Sequence, residues 1–140
     1  MSALSTQFQF ILNSGSFTAT SVQIPSAATA PDGSANFYSI PEKGDGFYGA
    51  ADGLHTVTYT VTPNFAGTLQ MQATLATSPA NSDWFTVNNS TQVYTSVTAP
   101  LTTTTNYVNF TGNFVYVRAV VLRDPTVTPN GTVMFINYNH

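Results

Sequence analysis

The stretch EKGDGFYGAADGLHTV, from Glu42 to Val57, spells G-x-G-x-x-G at Gly44, Gly46 and Gly49. In a dinucleotide-binding turn such glycines follow a strand and open a helix, so that the pyrophosphate rests on the helix N-terminus. An acidic residue about twenty positions further on then holds the ribose. Here Pro41 stands just before the turn, a strictly alternating run begins at His55, and the residue twenty beyond Gly49 is Leu69. The context excludes a nucleotide site. The glycines predict instead a sharply turning surface loop over residues 41–54, in which Phe47 and Tyr48 tuck against an apolar surface of their own domain or of a neighbouring subunit. Four of the nine charged residues, Glu42, Lys43, Asp45 and Asp52, fall in this loop. Asp45 and Asp52 stand seven apart and lack the further oxygen ligands that a calcium loop places at alternate positions, so no metal is expected.

The remaining reactive side chains are sparse. His55 opens a strand with no Cys, Glu or second His at a metal-ligand spacing, and His140 is the last residue, so His55 reads as a packed or capping histidine. No G-x-S-x-G occurs, and the serines lack an assignable His and acid partner. The six acids stand mostly beside Gly or Asn in loops, where solvation keeps them ionised, which argues against a glycosidase pair. Neither enzyme activity nor a cofactor is expected. Arg118 differs, because it interrupts an apolar strand in line with Phe114, Tyr116, Val120 and Leu122. A buried guanidinium must satisfy five donors, either internally with a carboxylate such as Asp83 or with carbonyls, or across a subunit interface. Trp84 and Phe85 read as core, or, if exposed, as a platform on which sugar rings stack.

At 140 residues the chain fits one domain with one core. Charged residues make up 6% of it, against roughly 25% in an ordinary soluble protein. The charge is replaced by 35 serines and threonines and 12 asparagines, a composition that suits strands with threonine on their outer face. Three basic residues and a net charge of -3 cannot build a cationic groove, so nucleic acid and anionic membrane surfaces are poor partners. There is no cysteine and hence no disulfide. The start, MSALSTQFQF, lacks a basic region and a long apolar run, and the run Phe114 to Leu122 is broken by Arg118, so neither a signal peptide nor a membrane span is expected. Four N-x-S/T sequons, at Asn88, Asn89, Asn109 and Asn130, are attributed to the abundance of asparagine, serine and threonine.

These side chains must be positioned by strands. QFQFIL, from Gln7, alternates, and after NSGS the run Phe17 to Ile24 completes an opening hairpin. Pro25 to Ala35 reads as loop and Asn36 to Ile40 as a short strand. HTVTYTVT places Val57, Tyr59 and Val61 on one face and threonines on the other, and TLQMQATL alternates likewise, so the two are expected to pair as a hairpin across PNFAG. WFTV and Gln92 to Val97 read as short strands, and APLTTTTN as extended loop running into Tyr107 to Phe110. Phe114 to Leu122 is apolar on both faces and should be central. After RDPTVTPNG, with its Asn-Gly turn, TVMFINYN closes the chain. No segment sustains a helical period, so the fold class is all-β: a single β-sandwich of about eight to ten short antiparallel strands, of jelly-roll type, with residues 1–6 as an N-terminal arm.

Three segments, DGFYGAADGLHTV, FAGTLQMQATLATSPANSDWF and NFTGNFVYVRAVV followed by NGTVMFINYN, resemble small β-rich virion structural proteins of marine tailed phages, of the T4-like cyanophage type. The resemblance spans Asp45 to Tyr138 and implies a non-enzymatic protein that assembles into the particle. Its expected role is an oligomeric capsid decoration or cement protein, a homo-trimer contacting the major capsid protein, located in the virion; a neck or tail-fibre component is the runner-up. An uncharged polar surface suits that setting, since its hydrogen bonds are weakened little by salt. The candidate interface residues are Asp45, Phe47, Tyr48, Asp52, Phe65 and Arg118. A carbohydrate-binding module is the expectation from another class, with Tyr48, Trp84 and Tyr107 as exposed rings stacking on a glycan.

Overall fold

The computed structural model describes residues 5–11, 18–19, 22–23, 36–49, 52–95, 100–123 and 131–139. Its strands are β1 (Ser5–Gln7), β2 (Phe10–Ile11), β3 (Thr18–Ala19), β4 (Val22–Gln23), β5 (Asn36–Tyr38), β6 (Glu42–Lys43) and β7 (Leu54–Val61). They continue with β8 (Gly67–Thr74), β9 (Phe85–Thr86), β10 (Gln92–Tyr94), β11 (Thr104–Thr111), β12 (Tyr116–Arg123) and β13 (Thr132–Asn139). Two short 3-10 turns, Asp45–Phe47 and Asn81–Asp83, are the helical elements among the described residues, and neither is long and apolar enough to cross a membrane.

Eleven of the thirteen described strands form two antiparallel sheets, and β2 and β3 pair with each other. The first runs β1-β13-β7-β11, with β4 also paired to β13; the second runs β10-β8-β12-β5, with β6 also on β12 and β9 also on β8. Taken in chain order as β1, β5, β7, β8, β10, β11, β12 and β13, these strands alternate between sheets except at β8 and β10, which pair directly. That order is the jelly roll, two interlocked Greek keys. The core lies between the sheets. Val57, Tyr59 and Val61 of β7 and Ile136 and Tyr138 of β13 face Leu69, Met71 and Ala73 of β8 and Val117, Ala119 and Val121 of β12, all fully buried. Each large apolar side chain so placed contributes about 1.5–3 kcal/mol.

The expected hairpin of β7 with β8 does not form. Both strands turn the predicted apolar face inward, but β7 pairs with β11 and β13 in one sheet, and β8 with β9, β10 and β12 in the other. Alternation fixes which face is buried, not which strand lies alongside, and two apolar rows can meet across the core as well as side by side. The connection crosses the end of the sandwich through Asn64, at φ 69°, and Phe65, whose fully buried ring meets Tyr94 edge-on at 5.6 Å. Phe65 is therefore core and not an interface residue.

The opening hairpin is also divided. β2 pairs with β3, whereas β1 and β4 both join β13, so Ser5 and Thr6 of the expected arm belong to the first sheet. Residues 1–4, the loop 25–35 and residues 124–130, among them Asn130 of the Asn-Gly turn, lie outside the described residues. β11 starts at Thr104 inside the threonine run, since β-branched residues fit an edge strand without needing an apolar period. β12 is central as expected, between β8 and the pair β5 and β6.

Candidate ligand-binding site

The glycine loop is built by close backbone approach. The N–H groups of Gly44 and Gly46 donate to the carbonyls of Val115 (2.9 Å) and Phe114 (2.8 Å). A Cβ on Gly44 would collide with the Phe114 carbonyl oxygen, and one on Gly46 with that of Asn113. Both amides are thus engaged by the chain and face no phosphate. The Asp45 carboxylate is buried and accepts the Gly53 N–H at 2.9 Å, while Asp52 accepts the Leu54 N–H at 3.0 Å. Asp45 is an internal clasp, which removes it from the candidate interface. Among the described residues no three metal-ligating side chains converge.

Clasping this loop onto residues 112–115 fixes Phe114 at one end of the sandwich, where the edges of the two sheets part and leave a cleft of about 850 Å³. Its apolar lining comprises Leu54, Phe85, Val87, Phe110 and Phe114, with Phe85 edge-on to Phe114 at 5.8 Å. The buried His55 ring stacks on Phe110, Phe114 and Tyr138 at centroid separations of 5.0, 5.7 and 5.7 Å. His55 Nε2 lies 2.6 Å from the Gly112 carbonyl, which can only accept, so Nε2 carries the proton and Nδ1 accepts from the Tyr138 hydroxyl at 2.8 Å. The imidazole is a structural link between β7, β13 and the Gly112 turn. Burial, with the nearby carboxylate of Asp45 next, holds the Tyr138 hydroxyl far above the ordinary phenol range, so it stays a donor.

Apart from His55, the polar lining among the described residues consists of amides and hydroxyls, Asn88, Asn89, Asn109, Thr56, Thr86 and Thr111, with no carboxylate, lysine or arginine. Thr56 Oγ1 donates to Asn109 Oδ1 at 2.8 Å, which leaves the Asn109 NH2 group without a protein partner among the described residues. The Asn88 and Asn89 side chains likewise bond to none of them. Their turn is anchored by fully buried Ser90. Its hydroxyl donates to the Val87 carbonyl (2.7 Å) and accepts the Met71 N–H (3.1 Å), while its carbonyl accepts the Tyr59 hydroxyl (2.7 Å). Asn89 sits at φ 64°, a conformation that asparagine tolerates better than most residues.

The outer face of the second sheet carries a different array. The Arg118 guanidinium lies between two rings, 4.3 Å from the Trp84 centroid and 4.5 Å from that of Tyr38, and its Nε donates to Gln72 Oε1 at 2.8 Å. Gln72 is its cross-strand neighbour on β8. Burial lowers the Arg118 pKa, and Tyr38 opposes that shift. The internal carboxylate partner considered from sequence, Asp83, instead accepts the Ala80 N–H at 2.8 Å. Beside the stack, Lys43 lies 4.4 Å over Phe47, and Phe47 contacts both Tyr116 and Tyr48.

No protein-family model and no curated protein matches the chain. Among solved structures it is similar to CBM29_1, a family 29 carbohydrate binding module from Piromyces equi, at 10% identity and a TM-score of 0.49 over 100% of this chain and 93% of that one. It is similar to the carbohydrate binding module CBM6cm-2 from Cellvibrio mixtus lichenase 5A, solved in complex with cellotriose, at 13% identity and a TM-score of 0.43 over 98% and 89%. The K2 cleaved adhesin domain of Lys-gingipain, a protein of Porphyromonas gingivalis, matches at 12% identity and a TM-score of 0.45 over 75% and 64%. At these levels the fold of the chain stands on its own strand order, and its ligand must be sought on its own surface.

Of the residues singled out from sequence, Phe47, Tyr48, Trp84 and Arg118 come together on or beside the outer face of the second sheet. Tyr107, 69% exposed, stands on the outer face of the other sheet opposite Thr58, so Tyr48, Trp84 and Tyr107 form no common platform. Asp52 is exposed on the loop. The sequence reading missed Tyr38 and Gln72, which reach Arg118 through neighbouring strands. It also passed over Asn88, Asn89 and Asn109, whose one visible signal was their sequons.

Proposed function

We propose that the chain is a non-catalytic recognition module whose edge cleft takes a neutral saccharide. The observation that carries this is the composition of the cleft: among the described residues, three phenylalanines, Leu54 and Val87 stand beside three asparagines, three threonines and the buried His55, with no carboxylate, lysine or arginine. Aromatic carbons match the C–H faces of a sugar ring. An amide both donates and accepts, as a sugar hydroxyl does, so the Asn88 and Asn89 amides and the Asn109 NH2 group, which have no partner among the described residues, suit hydroxyls without drawing in counterions. His55, tied at both ring nitrogens, supports binding and not proton transfer. Isothermal titration with a panel of neutral oligosaccharides tests this. Saturable binding that is lost in Phe85→Ala supports it, and absence of binding across the panel, or full affinity in Phe85→Ala, overturns it.

A second reading, assembly into a particle as an oligomer, is favoured by one specific observation. Beside the uncharged edge strand β11, Leu101 is 90% exposed and Tyr107 69% exposed. Edge strands are commonly protected by charge or proline, and β11 has neither. The native mass by light scattering across dilution tests it: a stable trimer or other closed oligomer supports assembly, and a strict monomer overturns it for the isolated chain.

A further inference from the structure

We propose that the outer face of the second sheet carries a separate site for a carboxylate-bearing saccharide, read by the Arg118 guanidinium. With Nε committed to Gln72 Oε1, the terminal NH2 groups of Arg118 have no hydrogen-bond acceptor among the described residues. The guanidinium carbon lies over both the Trp84 and the Tyr38 ring, so the terminal NH2 groups are the part of Arg118 left for an acceptor. Two parallel N–H groups in one plane match the two oxygens of a carboxylate. The rings also hold the side chain in place before the ligand arrives, so little rotamer freedom is left to lose on binding.

The neighbours extend the match from an isolated acid to an acidic sugar chain. Gln70, next but one to Gln72 on β8, offers its amide oxygen on the same face. Lys43, a second cation, pairs with Tyr116, two residues before Arg118 on β12, which places the Lys43 and Arg118 backbones about 8 Å apart by strand geometry. Two cations at that spacing, with aromatic and neutral polar groups between and around them, suit acid groups on separate sugar units. Two of the three basic residues of the chain are gathered here, although the chain as a whole is acidic. This site is independent of the cleft and stands whether or not the cleft takes a neutral sugar.

The test is titration of the full chain with an oligogalacturonate and with its fully methyl-esterified form. We expect the free acid to bind about tenfold or more tighter than the ester, and to weaken as salt rises to about 0.5 M. Arg118→Gln should bring the free acid down to the level of the ester, with Arg118→Lys restoring little, because a lysine keeps the charge and loses the planar fork. Unchanged thermal unfolding and circular dichroism in Arg118→Lys identify a loss of recognition; if that variant does not fold, Lys43→Gln supplies the readout, with an expected loss of affinity for the acid alone. Equal binding of acid and ester, full affinity in Arg118→Gln, or equal binding of polyglutamate overturns the assignment.

Discussion

Trp84 and Phe85 are consecutive residues whose rings stand on opposite faces of the second sheet. Trp84 lies over Arg118 at 4.3 Å, and Phe85 lines the cleft edge-on to Phe114 at 5.8 Å. The period-two pleat at β9 thus sets two unlike surfaces one residue apart. Phe85→Ala should abolish neutral-saccharide binding and leave oligogalacturonate affinity intact, and Trp84→Ala should do the reverse by uncovering Arg118. Phe85 is 43% exposed, so its truncation should cost only about 1–2 kcal/mol by urea unfolding, below the range for a fully buried phenylalanine. Parallel loss of both affinities in either variant would contradict two separate sites.

Ser90 couples the core to the cleft. Ser90→Ala removes the acceptor of the Met71 N–H and the donor to Val87, in a fully buried position, at an expected cost of about 1–3 kcal/mol. Because the same hydroxyl anchors the Asn88–Asn89 turn, saccharide affinity should fall with stability. A variant that loses stability but keeps full affinity would show that the turn is held by other contacts.

Gly46 should resist substitution more than the exposed Gly49. Gly46→Ala drives a methyl into the Asn113 carbonyl, where backbone must move, and is expected to cost about 1–3 kcal/mol. At Gly49 a Cβ meets nothing within 4 Å, but φ 89° strains any L residue, so the cost there is backbone strain alone, about 1 kcal/mol. Urea denaturation of the two variants compares a steric effect with a conformational one.

Alkaline titration should separate the tyrosines. Burial holds the hydroxyls of Tyr59 and Tyr138 far above the usual phenol range and raises that of Tyr94. A raised folded value favours the neutral phenol. The stability linked to it is therefore fully present below the unfolded value of about 10 and is lost as pH climbs from there toward the folded value. Ionisation of Tyr59 and Tyr138, followed by tyrosinate absorbance against Phe variants of each, should thus coincide with unfolding by circular dichroism. Ionisation of either one with the fold intact would be inconsistent with this burial.

The sandwich was legible in the alternation of β7, β8 and β13 and in the doubly apolar β12, because a period of two with turn residues between is a local signal. Pairing was not. Nothing in HTVTYTVT or TLQMQATL distinguishes a neighbour in the sheet from a neighbour across the core, and the crossing segment PNFAG resembles a hairpin turn. The site was half visible for the same reason. Arg118 and Trp84 stand out as a charge in an apolar strand and a lone tryptophan, but Tyr38 lies eighty residues before Arg118 and meets it only through the register of β5 on β12. Asn88, Asn89 and Asn109 gain meaning only when β9 and β11 bring them to one cleft.

The strand order also bears on how the chain reaches this shape. Ser5 of β1 pairs with Asn139 of β13, and nearly every connection of the jelly roll leaves one sheet for the other. Few contacts can form before distant segments meet, so folding should be slow for a domain of this size, on the scale of milliseconds to seconds. During synthesis the strip that β13 fills between β1 and β7 stays vacant until the last strand has emerged from the ribosome, and the apolar rows of β7 and β8 must wait for it. The interval before that strand arrives is when the protein is most exposed to self-association.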